Sequence, residues 1–330
     1  MTGTPENHPF PPEPEITIQF AHSAYALAER FAARETGIAH FQTWSVEDTL
    51  ERVGEADVLV TSGFWRSEIL SRTDKLRFVQ VPAVGYEQFD LEELRAHGIH
   101  LANGSGVNKN AVSEHAMALI LAFARHMHLA RDNQHKHHWR GMLGDIAARE
   151  EELGGKTLVI YGLGDIGSRL ARLARAFDMH VIGIKRDTAN HDGSAHEVLA
   201  PDQFPNVLPR ADFCVVACPL TAQTTGLVDA QVLSTLPRHA RLINVGRGGC
   251  VDEPALISAL ESGEIAGAGL DTAQQEPLPQ DSPLWDMENV ILTPHTAGET
   301  QRYEENVIDL LMENLQHLWR GELPLRNQRT

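Results

Sequence analysis

The sequence predicts an α/β protein of two domains, each a parallel sheet flanked by helices, and three observations predict it. Short β-rich segments alternate with helical ones along most of the chain, the rhythm of β-α-β units. That rhythm stops at a long apolar helical stretch after Ala111 and restarts at GKTLVIYGLG (155–164). A length of 330 residues is enough for two ordinary domains with separate cores.

In order, ITIQF (16–20) reads as the first strand and YALAERFAARETG (25–37) as a helix stopped by Gly37. ADVLVTSG (56–63) is a strand entering a turn, and SEILSRTDKL (67–76) is a helix. LRFVQVPAVGYEQ (76–88) is a strand entering a glycine loop, and LEELRAHGIHLANG (91–104) is a helix followed by a strand. AVSEHAMALILAFARHMHLARDN (111–133) reads as one long helix, apolar enough to be buried between two domains or subunits. The later strands of the second series are HVIGI (180–184), DFCVVA (212–217), ARLINV (240–245), IAGAGLD (265–271) and VILTP (290–294). ETQRYEENVIDLLMENLQHLWRGE (299–322) is a last helix with apolar positions suited to docking on a domain. The start, MTGTPENHPFPPEPE, is polar and proline-rich without a basic-then-apolar signal pattern, and reads as a loose arm. The expected boundaries are 1–110, completed by a helix at 299–330, for the first domain and 111–298 for the second.

Composition narrows the function. The apolar fraction of 42% and charged fraction of 22% are those of a soluble globular protein, and no apolar run reaches the roughly eighteen residues needed to span a membrane. A formal charge of −17 repels a phosphate backbone, so nucleic acid is not an expected partner. Cys214, Cys218 and Cys250 make no disulfide framework. The first two lie in or beside the strand FCVVAC with no second pair after them, so no metal is expected, and a reducing, cytoplasmic compartment is implied. The run HMHLARDNQHKHHW (126–139) lacks the i, i+4 histidine pair around a carboxylate found in the common zinc peptidase motif, and reads as a solvated helix end.

In LVIYGLGDIGSRLARLARAF (158–177), Gly162, Gly164 and Gly167 lie between an apolar strand and a helix. The first permits a tight turn, the second lets a pyrophosphate approach, and the third lets helix and strand pack. The N–H groups around Asp165 and Ile166 then face phosphate at the helix N-terminus. This is the pattern of a dinucleotide-binding unit. The next strand ends IGIKRD, with Lys185 and Arg186 where an NAD-binding unit usually presents a carboxylate to the adenosine ribose. Cations there suit a 2′-phosphate, which favours NADP(H) over NAD(H). Asp187 leaves the other choice open, since a small loop shift returns a carboxylate to the ribose.

Three later segments carry candidate chemistry. RLINVGRGGCVDEPAL sets Arg247 in a glycine-flanked turn after a strand. AGLDTAQQEPL sets Asp271 just past a strand and Glu276 in the following loop, and VILTPHTAGET sets His295 directly after a strand and Pro294. All lie at expected C-terminal strand ends, where open α/β sheets bind ligands. NVGRGGCVDEPAL, GAGLDTAQQEP and SPLWDMENVILTPHTAG, together with YGLGDIG, CPLTAQTTGL and AVSEHAMALIL, resemble the signatures of the D-isomer-specific 2-hydroxyacid dehydrogenase family over nearly the whole chain after the N-terminal arm.

The resemblance implies two Rossmann-like domains, a flavodoxin-like substrate domain and a nucleotide-binding domain, with a cleft between them. It implies reversible NAD(P)H-dependent reduction of a 2-oxo acid to the D-2-hydroxy acid. His295 is then the acid–base residue and Glu276 its partner, holding the ring and favouring its protonated form. Arg247 binds the substrate carboxylate and polarises the carbonyl. Asp271 is expected at the nicotinamide carboxamide, and Pro219, Thr221 and Val245 along the cofactor. Backbone N–H groups around Ala83, Val84 and Gly85 are expected to receive the substrate carboxylate, with Tyr86 beside them and Phe64 and Trp65 as possible pocket walls. A homodimer pairing through the helix from Ala111 is also implied. Glu276 departs from the Gln that formate dehydrogenases of the superfamily carry. The chain ends soon after the last helix, so the regulatory domain of long phosphoglycerate dehydrogenases is not expected. An alternative is a nucleotide-sensing binding protein like the corepressor branch of this fold, which would bind cofactor without turning over a 2-oxo acid.

Overall fold

A computed structural model describes residues 10–330. They divide into two units, one running to Asn108 and resuming over Thr300–Thr330, the other Lys109–Glu299.

In the first unit the strands are β1 (Thr17–Ala21), β2 (Ala39–Thr43), β3 (Val58–Thr61), β4 (Phe78–Gln80) and β5 (His100–Ala102). Their order is β2-β1-β3-β4-β5 and every pair is parallel. This is the flavodoxin-like order, whose switch point lies between β1 and β3. Helices α1 (Leu27–Ala32), α2 (Val46–Arg52) and α3 (Leu91–Ala96) cross over between strands. Ser45 caps α2 and Asp90 caps α3, each side chain accepting backbone N–H groups of the first turn. The last helix, Tyr303–Arg320, buries Val307, Ile308, Leu311 and Leu315 against Ile16, Ile18 and Phe20, and ends where Gly321 takes the left-handed conformation.

The second unit carries β6 (Thr157–Tyr161), β7 (His180–Ile184), β8 (Glu197–Leu199), β9 (Phe213–Val216), β10 (Arg241–Asn244), β11 (Gly267–Leu270) and β12 (Val290–Leu292). The order β12-β11-β10-β9-β6-β7-β8 is parallel throughout. Read from the β8 edge it is the doubly wound dinucleotide-binding order with one added strand, and its switch point lies between β6 and β9. Its helices are α4 (Lys109–Ala124), α5 (Met127–His135), α6 (Asp165–Ala176), α7 (Phe204–Val207), α8 (Ala230–Thr235) and α9 (Glu253–Glu261).

Several expectations need correction. The helix expected over 111–133 is two, because His126 adopts a left-handed backbone, φ 51°, between α4 and α5. Much of the apolar surface of α4 is covered within its own unit: Val112, Ala116, Met117, Ile120 and Phe123 are buried in that unit's core, while Ala118 is exposed and Leu121 and Ala122 are half-buried. Residues 67–76 hold only a short 3-10 helix, Ser67–Ser71, and α1 stops at Ala32, before Gly37. β2, β8 and helices α2, α7, α8 and α9 escape the sequence reading. β2 is a sheet edge, exposed or half-buried for most of its length, so it lacks an apolar run. Of the expected loose arm, residues 1–9 lie outside the described residues, and the remainder is tied down. Phe10 packs on the first unit's core and Trp319 Nε1 donates to Pro11 O at 3.1 Å.

Candidate active site

The glycine turn follows β6. Gly162 sits at φ 105°, and a Cβ there would meet the Ala217 carbonyl carbon and Cys218 N at 2.8 Å, so the turn passes against the end of β9 only without a side chain. A Cβ on Gly167 would meet Gly162 O at 2.2 Å. At Gly164 nothing lies within 4 Å, and its side of the turn is open. Gly164 is the N-cap of α6 and offers no side-chain acceptor, so the first N–H groups of the helix, from Asp165 to Gly167, are left for an external anion. The turn fits a pyrophosphate.

The strand next to the turn, β7, ends at Lys185, Arg186 and Asp187. Lys185 Nζ donates to Asn190 O within the following loop. Among the described residues Arg186 makes no ion pair or hydrogen bond, and Arg186 and Asp187 are both exposed. Past β9, Pro219 and Thr221 are exposed. Thr224 Oγ1 accepts Thr221 N at 2.8 Å and donates to Pro219 O at 2.7 Å, which closes this loop on itself. The Val245 side chain is buried in the core, so only its backbone is available to a ligand.

Arg247 follows β10. Asn244 folds back on this turn, its Nδ2 donating to Arg247 O at 3.0 Å and its Oδ1 accepting Gly246 N at 3.1 Å. The guanidinium donates to Gly246 O at 2.9 Å and meets no carboxylate among the described residues. Both flanking glycines are sterically required: a Cβ on Gly246 would meet Cys218 O at 2.8 Å, and one on Gly248 would meet Ala273 O at 1.8 Å. The second contact docks the Arg247 turn on the loop that carries Glu276.

His295 and Glu276 come together. His295 Nδ1 lies 2.7 Å from Glu276 Oε2, both side chains partly open to solvent, and Glu276 Oε1 accepts Ala273 N at 3.1 Å. His295 has a left-handed backbone, φ 55°, unusual for a residue with a Cβ. Its N–H donates to Asp271 O at 2.8 Å. Asp271, 2% exposed, holds the turn that presents it. Its Oδ1 accepts Thr293 Oγ1 at 2.7 Å, Thr296 N at 2.9 Å and Ala297 N at 3.1 Å. Sequence reasoning missed His115, whose Nε2 lies 2.9 Å from Thr293 Oγ1 and 3.7 Å from Asp271 Oδ1. It sits within the quoted AVSEHAMALIL, but only the long-range contact singles it out. A pocket of about 530 Å³ opens beside this cluster, walled by His295, Glu276, Leu278, Trp285 and Leu292.

In the first unit, Ala83, Val84, Gly85 and Tyr86 form the bend after β4, half-buried. Trp65 is 5% exposed and packs in the core against Phe89, the rings tilted by 36° with centroids 4.8 Å apart. Cys214, Cys218 and Cys250 are buried free thiols, and burial pushes Cys214 up to about 12. Among the described residues no cluster of three metal-ligating side chains occurs, and no helix is long and apolar enough to cross a membrane.

Residues 117–297 match the family described as D-isomer specific 2-hydroxyacid dehydrogenase, NAD binding domain. A glyoxylate reductase of Pyrococcus furiosus is 37% identical over 291 residues, 84% of each chain. One of Korarchaeum cryptofilum is 34% identical over 280 residues, 83% of each. A solved structure of a D-isomer specific 2-hydroxyacid dehydrogenase family protein from Aeromonas salmonicida superposes with a TM-score of 0.82 at 26% identity, covering 96% of this chain and 99% of that one. With this parallel-sheet topology, glycine turn and histidine–glutamate pair, the chain belongs to the D-isomer specific 2-hydroxyacid dehydrogenase family, and its second unit contains that family's nicotinamide-dinucleotide-binding domain.

Proposed function

We propose that the chain reduces small 2-oxo acids with NAD(P)H, glyoxylate to glycolate and chiral products to the D-2-hydroxy acid. The observation that carries this reading is the 2.7 Å contact of His295 Nδ1 with Glu276 Oε2, in a unit whose Arg247 has no carboxylate partner among the described residues. A carboxylate on Nδ1 fixes the ring and leaves Nε2 to face a ligand. In reduction, His295 Nε2 gives its proton to the carbonyl oxygen as C2 accepts a hydride. In oxidation it takes the hydroxyl proton back. Arg247 stays charged while its fork holds the substrate carboxylate and draws on the carbonyl oxygen. Bound NAD(P)H supplies the hydride. Two relatives at 37% and 34% identity are glyoxylate reductases, which supports a small acid.

For the cofactor we assign the pyrophosphate to the turn from Gly162 to Gly167, and Pro219, Thr221 and the Val245 backbone to its flank. Asp271 is assigned to the carboxamide through Oδ2, which among the described residues accepts only Ala297 N, at 3.1 Å. Arg186 is the stronger candidate for a 2′-phosphate, because Lys185 already serves Asn190 O, and NADPH is the preferred reductant. In the first unit, the bend from Ala83 to Tyr86 is assigned the substrate carboxylate. A second copy of the chain is the partner, and its main support is the segment after α5. There Trp139, Met142 and Ile146 are 97%, 101% and 77% exposed, too much apolar surface in one stretch for a lone chain. The reducing interior that suits three free thiols is the cytoplasm.

The test is initial rates with NADPH and NADH over a panel from glyoxylate to phenylpyruvate, alongside His295→Gln. Turnover abolished in the variant supports the reading. Nucleotide binding without reduction of any 2-oxo acid refutes it in favour of a binding protein.

A further inference from the structure

The bend 82–86 is oriented by contacts that the reaction itself does not name. Three successive carbonyls there each accept one donor. Pro82 O accepts Tyr303 Oη at 2.8 Å, Ala83 O accepts Gly104 N at 2.8 Å, and Val84 O accepts Asn103 Nδ2 at 2.5 Å. These peptide bonds are trans, and in a planar trans peptide the C=O and the following N–H point in opposite directions. Holding carbonyls 82, 83 and 84 therefore turns the N–H groups of Ala83, Val84 and Gly85 the other way. Among the described residues none of those three has a protein acceptor. Three successive N–H groups that face away from those donors and have no protein acceptor among the described residues are the material of an anion nest.

The donors are themselves held. Tyr303 packs against Tyr25 in a tilted pair with ring centroids 4.8 Å apart, and burial raises its phenol, which keeps the hydroxyl proton at any physiological pH. Gly104 must be glycine, since a Cβ would meet Pro82 O at 2.4 Å. Asn103 Oδ1 accepts Arg329 Nη2 at 3.2 Å, and that guanidinium lies 5.3 Å from the Tyr86 ring centroid. The segment carrying Arg329 runs along β5, with Arg329 N donating to Leu101 O at 2.8 Å. Buried Asn314 fastens it by accepting Arg326 N at 2.9 Å while donating to Gln80 Oε1 at 2.9 Å, at the end of β4.

We propose that Tyr303, Asn103 and Arg329 are positioning residues for the carboxylate nest of the bend 83–85, and that the segment 325–329 is a strap setting its geometry. The proposal rests on the reductase reading for what the nest binds. Tyr303→Phe removes one hydroxyl and keeps the ring packing, and Arg329→Ala removes the outer anchor. Each should raise KM for the 2-oxo acid about five- to tenfold, the size expected for one buried hydrogen bond. The kcat should stay within about threefold and the Kd for NADPH within about twofold. Arg329→Lys should recover only part of the loss, because it keeps the charge over Tyr86 but lacks the fork. Hydrogen exchange of peptides spanning 82–88 should speed up in both variants while the turn 162–168 is unchanged. Wild-type KM together with wild-type exchange in the bend overturns the proposal, and so does faster exchange in both units alike. Should the wild-type protein reduce no 2-oxo acid, the reductase reading falls alone. Exchange in the bend with and without oxalate then still decides: protection in the wild type that is weakened in Tyr303→Phe supports the nest, and equal protection or none in either overturns it.

Discussion

Gly164→Ala and Gly167→Ala separate the two jobs of the glycine turn. At Gly164 an added Cβ meets nothing within 4 Å, and the backbone φ of −91° suits alanine. The fold loses only the difference between glycine and alanine at an N-cap, up to about 1 kcal/mol, a few degrees of Tm in a protein this size. The methyl group does fill the open side of the turn through which a pyrophosphate would reach the helix N–H groups. Nucleotide affinity should fall at least tenfold, about 1.4 kcal/mol. At Gly167 the Cβ meets Gly162 O at 2.2 Å and Ile160 Cγ2 at 3.2 Å. The nearer contact is more than 1 Å inside van der Waals distance and is backbone, so strand and helix must part. Overpacking of that kind costs about 1–3 kcal/mol, and Gly167→Ala should lose both stability and nucleotide. The assays are quenching of protein fluorescence by NADPH and thermal melts of both variants. Wild-type nucleotide affinity in a well-folded Gly164→Ala protein would refute the placement of the pyrophosphate.

Three further outcomes are expected. Glu276→Gln exchanges a charge-assisted hydrogen bond on His295 for a neutral one; with both groups partly exposed the loss is about 1 kcal/mol, so kcat/KM should drop about five- to tenfold, and an unchanged value would show that Glu276 does not support the ring. Arg186→Ala should lower kcat/KM with NADPH about tenfold and leave NADH nearly untouched; equal loss with both would assign the residue to something other than a 2′-phosphate. Glu197 is held down to about 2 by hydrogen bonds from Arg210 and then His180. Its folded value is below its unfolded one, so its stabilisation is present above about pH 4.5 and drains away as pH falls towards 2. Melts of Glu197→Gln should therefore lie below wild type near neutrality and converge with it in acid, and a gap constant down to pH 3 would contradict the assignment.

Much of the candidate site was legible in the chain because its residues sit in short motifs at strand ends. Gly162, Gly164 and Gly167 are spaced by the local geometry of one strand–turn–helix unit. Arg247 between two glycines, and His295 after Pro294, are likewise written within a few residues of each other. The parallel-sheet class followed from the β-α rhythm, which needs only local periodicity.

What the tertiary structure decided lies across long separations or in backbone states that side chains do not announce. The break between α4 and α5 depends on a left-handed histidine, and no glycine marks it. The burial of much of α4 depends on β6, α6 and their neighbours, which its apolar surface read alone does not announce. Lys185 and Arg186 are equivalent in sequence, and only the fold of the loop to Asn190 engages one of them. Tyr303 reaches Pro82 across 221 positions, and Asn314 reaches Gln80 across 234. Side chains so far apart meet only because the final helix docks on the first unit's sheet, and contact at that range is a property of the packed core and of no local pattern.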